Sequence, residues 1–431
     1  MKKLSTESYK GVRDFYPEQM WVRKWMFSKL RSVVEKYGFV EYDASILEPA
    51  DLYTAKSGEE IVNEQTYTFE DRGGRKVTLR PEMTPTVARM IAAKRRELGF
   101  PIRWYSIPNL FRYEAPQRGR LREHFQLNVD IFGQPEIDAD IETIVIGSDI
   151  LKSFGARNED FVIKINSRPL MNAVFDHFEI NTEVRYQVSK ILDKKDKLDF
   201  EIFKKSLTEL LPERGEELAE SLNTNKRILE TLGEENEEVK NIIYCLDALI
   251  KKGVTNVIFA PSITRGFDYY TGIVFEFFDT DKENKRSLFG GGRFDSLTEL
   301  FDNEKIPAVG FGMGDVTLKD FLESRNLIPE YVSETDLCIA TIDKKYTEDA
   351  QAIATAMREA GVNVSWGGVK KSRGDVFKTA ERNKIPFVLL YGDSEKENGT
   401  LTITHTWKKD ISIQLPASSP EEAITFIESQ R

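Results

Sequence analysis

The 431-residue chain is 40% hydrophobic and 31% charged, the balance of an ordinary folded protein with room for two or three domains, each with its own core. A formal net charge of −10 argues against non-specific nucleic-acid binding over the whole surface, while leaving room for a nucleic-acid partner held by local basic patches. Cys245 and Cys338 lie far apart with no CxxC, and the three histidines have no metal-ligand spacing, so neither a disulfide framework nor a zinc site is indicated; no apolar run reaches membrane-spanning length and no secretory signal opens the sequence, which makes a cytoplasmic enzyme the expectation.

Taken in chain order, the loop YKGVRDFYP (9–17) leads into an amphipathic helix predicted from Glu18 to Tyr37, with Trp21, Trp25, Phe27, Leu30, Val33 and Val34 on its buried side and Gly38 as its stop. A strand is expected over Phe39 to Ile46, and a hairpin over Thr66 to Arg80 with Gly73-Gly74 at its tip. In LRPEMTPT, Thr84 and Pro85 suit the N-cap and first position of a helix running to about Leu98; Glu82 and Thr84 could instead place a carboxylate and a hydroxyl at a pocket mouth suited to a substrate ammonium. From Tyr105 to Gly133 the pattern is a two-strand ribbon with a long loop. Four arginines, Arg112, Arg118, Arg120 and Arg122, fall within eleven residues, and the alternation Phe125, Leu127, Val129, Ile131 marks the return strand. The planar fork of arginine matches phosphate oxygens bidentately, so this ribbon is a polyphosphate site to test against a plain charged hairpin.

A helix is expected over Ile141–Phe154, a strand over Phe161–Asn166 and a helix over Arg168–Phe178. From about 180 to 255 helical periodicity dominates, and residues 201–240 carry eleven Glu against six Lys/Arg, an inserted acidic helical region to which no chemistry is assigned. Strand character returns at Asn256–Phe259. It is followed by SITRGFDYYTGIVFEFFD, in which Tyr269 and Tyr270 offer stacking faces and hydroxyls beside Arg265. In SLFGGGRFD, Gly290, Gly291 and Gly292 permit close backbone approach but lack the spacing of a phosphate or dinucleotide fingerprint. In PAVGFGMGD, Gly310, Gly312 and Gly314 flatten one face of a strand, a costly arrangement unless something must lie against it. After RNLIPEYVSET, alternating strands and helices predict an α/β domain with a mainly parallel sheet, and from Lys370 to Lys384 six basic residues meet two acidic ones, either a solvated helix face or a phosphate-backbone contact.

The motifs GVRDFYP, LRPEMT, FRYEAPQRGRLREHFQLNVD, RGFDYYTG, GGGRFD, GFGMG and LDKKDK, with the C-terminal α/β region, resemble the histidyl-tRNA synthetase family of class II aminoacyl-tRNA synthetases over nearly the whole chain, RGFDYYTG pointing to histidine. The resemblance implies an α+β fold with a six-stranded antiparallel sheet flanked by helices. It divides the chain into a catalytic domain in two parts (1–168 and 256–325), a helical insertion (169–255), a linker (326–335) and an anticodon-binding α/β domain (336–431). It implies a homodimer with no membrane role, whose partners are histidine, ATP and the histidine tRNA. Mg2+ would arrive on the nucleotide, and no zinc is expected. By resemblance, Arg112 grips the α-phosphate, Glu114 the adenine side, Phe125 stacks on adenine and Arg120 meets the outer phosphates. Glu82, Thr84 and Gln126 hold the α-amino group, Asp130 and Tyr270 read the imidazole with Tyr269 beside them, and Arg265 is the second catalytic arginine, across the α-phosphate from Arg112.

Three positions depart from the family pattern. Thr317 stands where an arginine usually closes the third motif, Ala115 replaces an arginine of the second-motif loop, and Phe294 replaces a tyrosine. Two alternatives remain. One is a non-catalytic paralogue of the kind that regulates ATP phosphoribosyltransferase, which lacks an anticodon domain; the other is a class II synthetase for another amino acid, which RGFDYYTG disfavours.

Overall fold

The computed structural model describes residues 3–54, 65–263, 269–281, 283–284, 286–301, 304–418 and 420–430. The chain forms two compact units, Met1–Ile328 and Pro329–Arg431.

In the first unit the strands are β1 (Val40–Glu41), β2 (Leu47–Pro49), β3 (Tyr67–Glu70), β4 (Lys76–Leu79), β5 (Ile102–Ser106), β6 (Asn109–Phe111), β7 (Glu123–Phe132), β8 (Phe161–Ser167), β9 (Val257–Phe259), β10 (Ile273–Asp279), β11 (Ser287–Arg293) and β12 (Ala308–Gly314). The main sheet runs β1-β5-β7-β12-β11-β10-β8-β9, with β6 also paired to β7. Its central six strands, β5 to β8 in that order, pair antiparallel, and β1 and β9 close the two edges in parallel. This is the antiparallel sheet that the motifs imply. The hairpin predicted over Thr66–Arg80 is β3–β4, joined by β2 into a separate three-stranded sheet.

One face of the main sheet carries the larger core. Leu127, Val129 and Ile131 of β7 meet the helix Ile137–Ser153 and the helix Pro17–Lys36, whose buried residues are Met26, Leu30, Val33 and Val34. Trp21, Trp25 and Phe27 are only half-buried, because they sit at the margin of the stripe and Met26 takes its centre. The helices Thr182–Leu192, Phe200–Leu210, Gly215–Ser221, Asn225–Leu232 and Glu237–Lys251 bury Val188, Leu192, Phe203, Leu207, Ile228 and Ile242 in the same continuous apolar cluster. The acidic residues of this region are accordingly its solvated side. The opposite face of the sheet carries a smaller cluster that includes Val87, Ile91, Phe132, Tyr269, Tyr270, Val274 and Phe294. The polar pocket described below opens on this second face.

The second unit is a five-stranded sheet, β14-β13-β15-β16-β17, from β13 (Leu337–Thr341), β14 (Val364–Val369), β15 (Phe387–Tyr391), β16 (Thr400–His405) and β17 (Ser412–Pro416). β14, β13 and β15 are parallel; β16 and β17 add an antiparallel pair. The helices Thr347–Glu359 and Pro420–Ser429 bury Ala350, Ala354, Met357, Ala423 and Ile427 in one core, and Arg373–Arg382 buries Val376, Phe377 and Ala380 in another. β17 and the short helix Asp393–Asn398 are absent from the sequence reading: β17 carries one buried residue, Leu415, and the helix none.

Candidate active site

β7 is the spine of the site. Side chains of a strand alternate between faces, so a pocket-lining Gln126 requires Asn128 and Asp130 on the same side and Leu127 and Val129 on the other. The structure follows this parity. Gln126, Asn128 and Asp130 line a pocket together with Glu82, Thr84, Arg112, Tyr269, Tyr270 and Phe294. Every described residue that the resemblance assigns to histidine therefore meets the others around one cavity. Arg265 lies outside the described residues.

The glycine motifs explain how so many polar side chains fit. A Cβ at Gly310 would lie 2.2 Å from Asp130 Oδ1, and a Cβ at Gly312 would lie 2.3 Å from Gln126 Nε2. A Cβ at Gly292 would lie 2.9 Å from the Tyr270 ring. The alternating glycines of β12 thus leave room for the functional side chains of the neighbouring strand, which lie across its backbone. Val309 and Phe311 point to the core.

The pocket floor is strongly desolvated. Asp130 is 3% exposed, and burial pushes its carboxyl up to about 8. Glu82 is equally buried and accepts a hydrogen bond from the Tyr269 hydroxyl at 3.2 Å. Thr84 is the first helical residue of Thr84–Lys94, not its cap: Met83 occupies the cap position, no side chain caps the helix, and Pro85 lies one position further in than expected. Pro85 is tolerated there because the first-turn N–H groups have no partner within the helix. The Thr84 hydroxyl is thereby left to the pocket.

A second cavity adjoins the first and shares Arg112, Gln126 and Gly312 with it. Its further walls are Glu114, Gly119, Arg120, Leu121, His124, Leu288, Gly314, Val316 and Thr317. Arg112 stands at the junction, its Nε donating to Pro81 O at 2.9 Å. The Arg120 Nε lies 3.1 Å from Glu114 Oε2, so two residues assigned to nucleotide are paired with each other.

Phe125 is corrected by the structure. It has the opposite parity from Gln126 and Asp130, and it packs away from both cavities. Its ring lies 5.7 Å from Phe27 and 6.3 Å from Phe15, with the Arg23 guanidinium 4.6 Å from its centroid. The aromatic ring that lines the second cavity is His124. Burial, reinforced by the nearby positive charges of Arg112 and Arg13, depresses its pKa to about 3, so the imidazole is a neutral aromatic face.

Sequence reasoning also passed over Asn128, Asp315 and Arg13. The Asn128 amide donates to Gln126 O at 3.0 Å. Asp315 accepts from the Phe125 N–H at 2.9 Å and from Arg13 at 2.8 Å, so the GVRDFYP loop is tied to β7 through the last residue of GFGMGD. The even-numbered positions of β7 would have revealed Asn128; nothing local revealed the Arg13–Asp315 pair, which spans most of the first unit in sequence. Thr317, at the position of the missing arginine, donates to Leu288 O at 2.6 Å. Arg286, just ahead of β11, donates to Gln117 Oε1 at 2.7 Å and to Arg118 O at 3.0 Å, so a guanidinium holds the loop that contributes Gly119 and Arg120 to this cavity.

Solved structures share this architecture. The histidyl-tRNA synthetase of Nostoc superposes with a TM-score of 0.83 over 100% of both chains at 21% identity. A protein of Bacillus halodurans described as an ATP phosphoribosyltransferase regulatory subunit/histidyl-tRNA synthetase gives 0.76 over 91% of this chain and 100% of its own, also at 21% identity. The fold is that of a class II aminoacyl-tRNA synthetase. The sequence narrows the assignment. The family model described as histidyl-tRNA synthetase matches residues 11–316, and that of an anticodon binding domain matches 336–428. The histidine–tRNA ligase of Leptospira biflexa is 44% identical over 408 residues, covering 93% of each chain, and that of Haloarcula marismortui is 40% identical over 92% of this chain and 93% of its own. The chain belongs to the histidyl-tRNA synthetase family.

Proposed function

We infer that the chain is an ATP-dependent histidine–tRNA ligase, which activates histidine to histidyl-adenylate and passes the histidyl group to the 3′ end of the histidine tRNA. The observation that carries this reading is the position of Arg112 between two adjoining cavities, one with groups for a zwitterion and an imidazole, the other with groups for a nucleotide. In it Glu82, Thr84 and Gln126 hold the α-ammonium. Asp130 and Tyr270 read the imidazole, and a site built to hydrogen-bond both ring nitrogens rejects apolar isosteres because its own buried groups would be left unpaired. The substrate carboxylate, already ionised, attacks the α-phosphorus of Mg-ATP in line. Negative charge grows on the equatorial oxygens, and Arg112, with Arg265 in the role that the resemblance assigns, stabilises it without proton transfer.

On the nucleotide side, His124 replaces Phe125 as the adenine platform, beside Glu114, and Arg120 exchanges Glu114 for the outer phosphates. Base–aromatic stacking is worth roughly 1–3 kcal/mol. His124→Ala is accordingly expected to raise the KM for ATP about tenfold or more. Phe125→Leu should leave it within about twofold while lowering stability. ATP titrations of pyrophosphate exchange check this, and the reverse order would restore Phe125 to the site.

The division into catalytic parts (1–168, 256–325), insertion (169–255), linker (326–335) and anticodon-binding domain (336–431) is kept within this reading. Lys370, Lys371, Lys378 and Arg382 line a groove on the second unit with charge suited to the tRNA backbone. A homodimer and a cytoplasmic location belong to the same proposal; no described helix is long and apolar enough to cross a membrane. The ligase, not the regulatory paralogue, is supported by the curated relatives and by the anticodon-domain match. The test is ATP–pyrophosphate exchange screened across the amino acids. Stimulation by histidine alone is expected, and stimulation by another amino acid, or by none, would overturn the assignment.

A further inference from the structure

Next to Asp130 lie two hydroxyls, those of Tyr42 and Ser106, that no assigned role uses. Trp104 of β5 pairs opposite Asp130 of β7, and Ser106 opposite Asn128. Tyr42 follows directly after β1, its N–H donating to Tyr105 O at 2.9 Å and its ring 5.5 Å from that of Trp104. The Tyr42 hydroxyl, Ser106 Oγ and Asp130 Oδ2 are all buried; among the described residues none of the three makes a hydrogen bond of full geometry, although Ser106 stands close enough to Tyr42 to act on its hydroxyl. An unsatisfied buried polar group costs about 1–3 kcal/mol, so a patch of sheet that leaves a carboxylate oxygen without a partner beside two loosely held hydroxyls calls for a functional account. The groups are electrostatically coupled: burial first, and then the Asp130 charge, push the Tyr42 hydroxyl pKa upward, and the Ser106 hydroxyl beside it pulls the other way. Asp130 Oδ1, in contrast, lies over Gly310.

We propose that Tyr42, with Ser106 beside it, is a positioning residue for Asp130: whenever the carboxylate is ionised, the Tyr42 hydroxyl donates to Oδ2 and holds Oδ1 toward the imidazole of histidine. The proposal rests on the reading of Asp130 as the imidazole partner. A carboxylate with one oxygen anchored presents the other at a fixed angle, and an imidazolium opposite an anchored carboxylate is the ionic arrangement that an unanchored, desolvated carboxyl resists. Other titratable or charged groups around this position are Arg80 and Asp43, which act on Tyr42 from beyond it, and Glu82, Arg112, Tyr269 and Tyr270 around the pocket.

The pH dependence of histidine use reads this directly. The bound pair shares one proton. Free imidazole gains its proton below about 6.5, and Asp130 loses its own above about 8. Histidine capture is therefore greatest between these values and falls on both sides. Removing a donor to the ionised carboxylate raises the carboxyl pKa further and moves the alkaline limb upward. For Tyr42→Phe, which keeps the ring against Trp104, the expected result in pyrophosphate exchange is a histidine KM raised about tenfold, with kcat and the ATP KM held. The alkaline limb of kcat/KM for histidine should rise by about one pH unit, a shift that a purely structural role for Tyr42 would not produce. Ser106→Ala should move the limb in the same direction by less, and it carries the test if Tyr42→Phe does not fold. Asp130→Asn should abolish the limb. Profiles of both hydroxyl variants superposing on the wild type, with the limb gone in Asp130→Asn, would overturn the role of Tyr42 and leave that of Asp130. A limb retained in Asp130→Asn would overturn the reading of Asp130 itself.

Discussion

Replacing Arg112 with alanine is expected to lower histidine-dependent ATP–pyrophosphate exchange by about a thousandfold or more, about 4 kcal/mol of transition-state stabilisation. Arg112 is half-buried at the meeting point of the amino-acid and nucleotide cavities, with one N–H fixed on Pro81 O. On the proposed reading, the rest of the guanidinium serves the place where the substrate carboxylate and the α-phosphate meet. The charge is preorganised, so its removal costs more in the transition state than in the ground state. The loss should therefore fall on kcat, while the KM for histidine rises by less. Arg112→Lys should recover little, because a point charge cannot reproduce both the backbone bond and a forked phosphate contact. Equal losses in binding of both substrates with kcat intact would instead make Arg112 a plain binding residue.

Gly310→Ala is expected to be as damaging to histidine use, by a different route. Its Cβ would meet Asp130 Oδ1 at 2.2 Å and the Val129 carbonyl at 2.5 Å, the second of which is backbone and cannot swing aside. Overpacking of this kind costs typically 1–3 kcal/mol and more where backbone must move. The variant should lose about 3 kcal/mol in urea unfolding and show a histidine KM raised at least a hundredfold. Gly314→Ala on the same strand is the control: its nearest contact would be Thr317 Oγ1 at 3.7 Å, and its φ of −75° suits any residue. It should fold and bind histidine like the wild type. A stable, histidine-binding Gly310→Ala protein would mean that Asp130 does not lie over that glycine when substrate is bound.

Much of this site is legible in the amino-acid sequence, and the missed parts share a cause. β7 announces itself by alternation, the glycines of β12 by a cost that something must justify, and RGFDYYTG by its likeness to a family. The misassignment of Phe125 came from reading residue type before parity. Once Gln126 and Asp130 are placed in a pocket, position 125 must face the other side of the sheet, whatever its aromatic character. The Thr84 cap was misplaced by one residue because a proline is accepted at either of the first two helical positions. Tyr42 leaves no local signal in the sequence, since its contacts are with Trp104 and Tyr105, some sixty positions away. β17 and the helix Asp393–Asn398 escaped because they bury too little to leave a hydrophobic pattern.

The register of β12 against β7 has a consequence for how amino-acid specificity could change. Gly310 sits opposite Asp130, and Gly312 opposite Asn128. A slip of one residue would turn Val309 and Phe311 toward the pocket and close it. On the proposed reading, selectivity is thus written in strand pairing as well as in the side chains assigned to the substrate. A bulkier reader at position 130 gains no space from any further trimming of Gly310, already the smallest residue, so redesign toward another amino acid has to begin by moving backbone. Swapping single pocket residues should exhaust its returns early, whereas variation at the ends of β12, where the register is set, is the more open route.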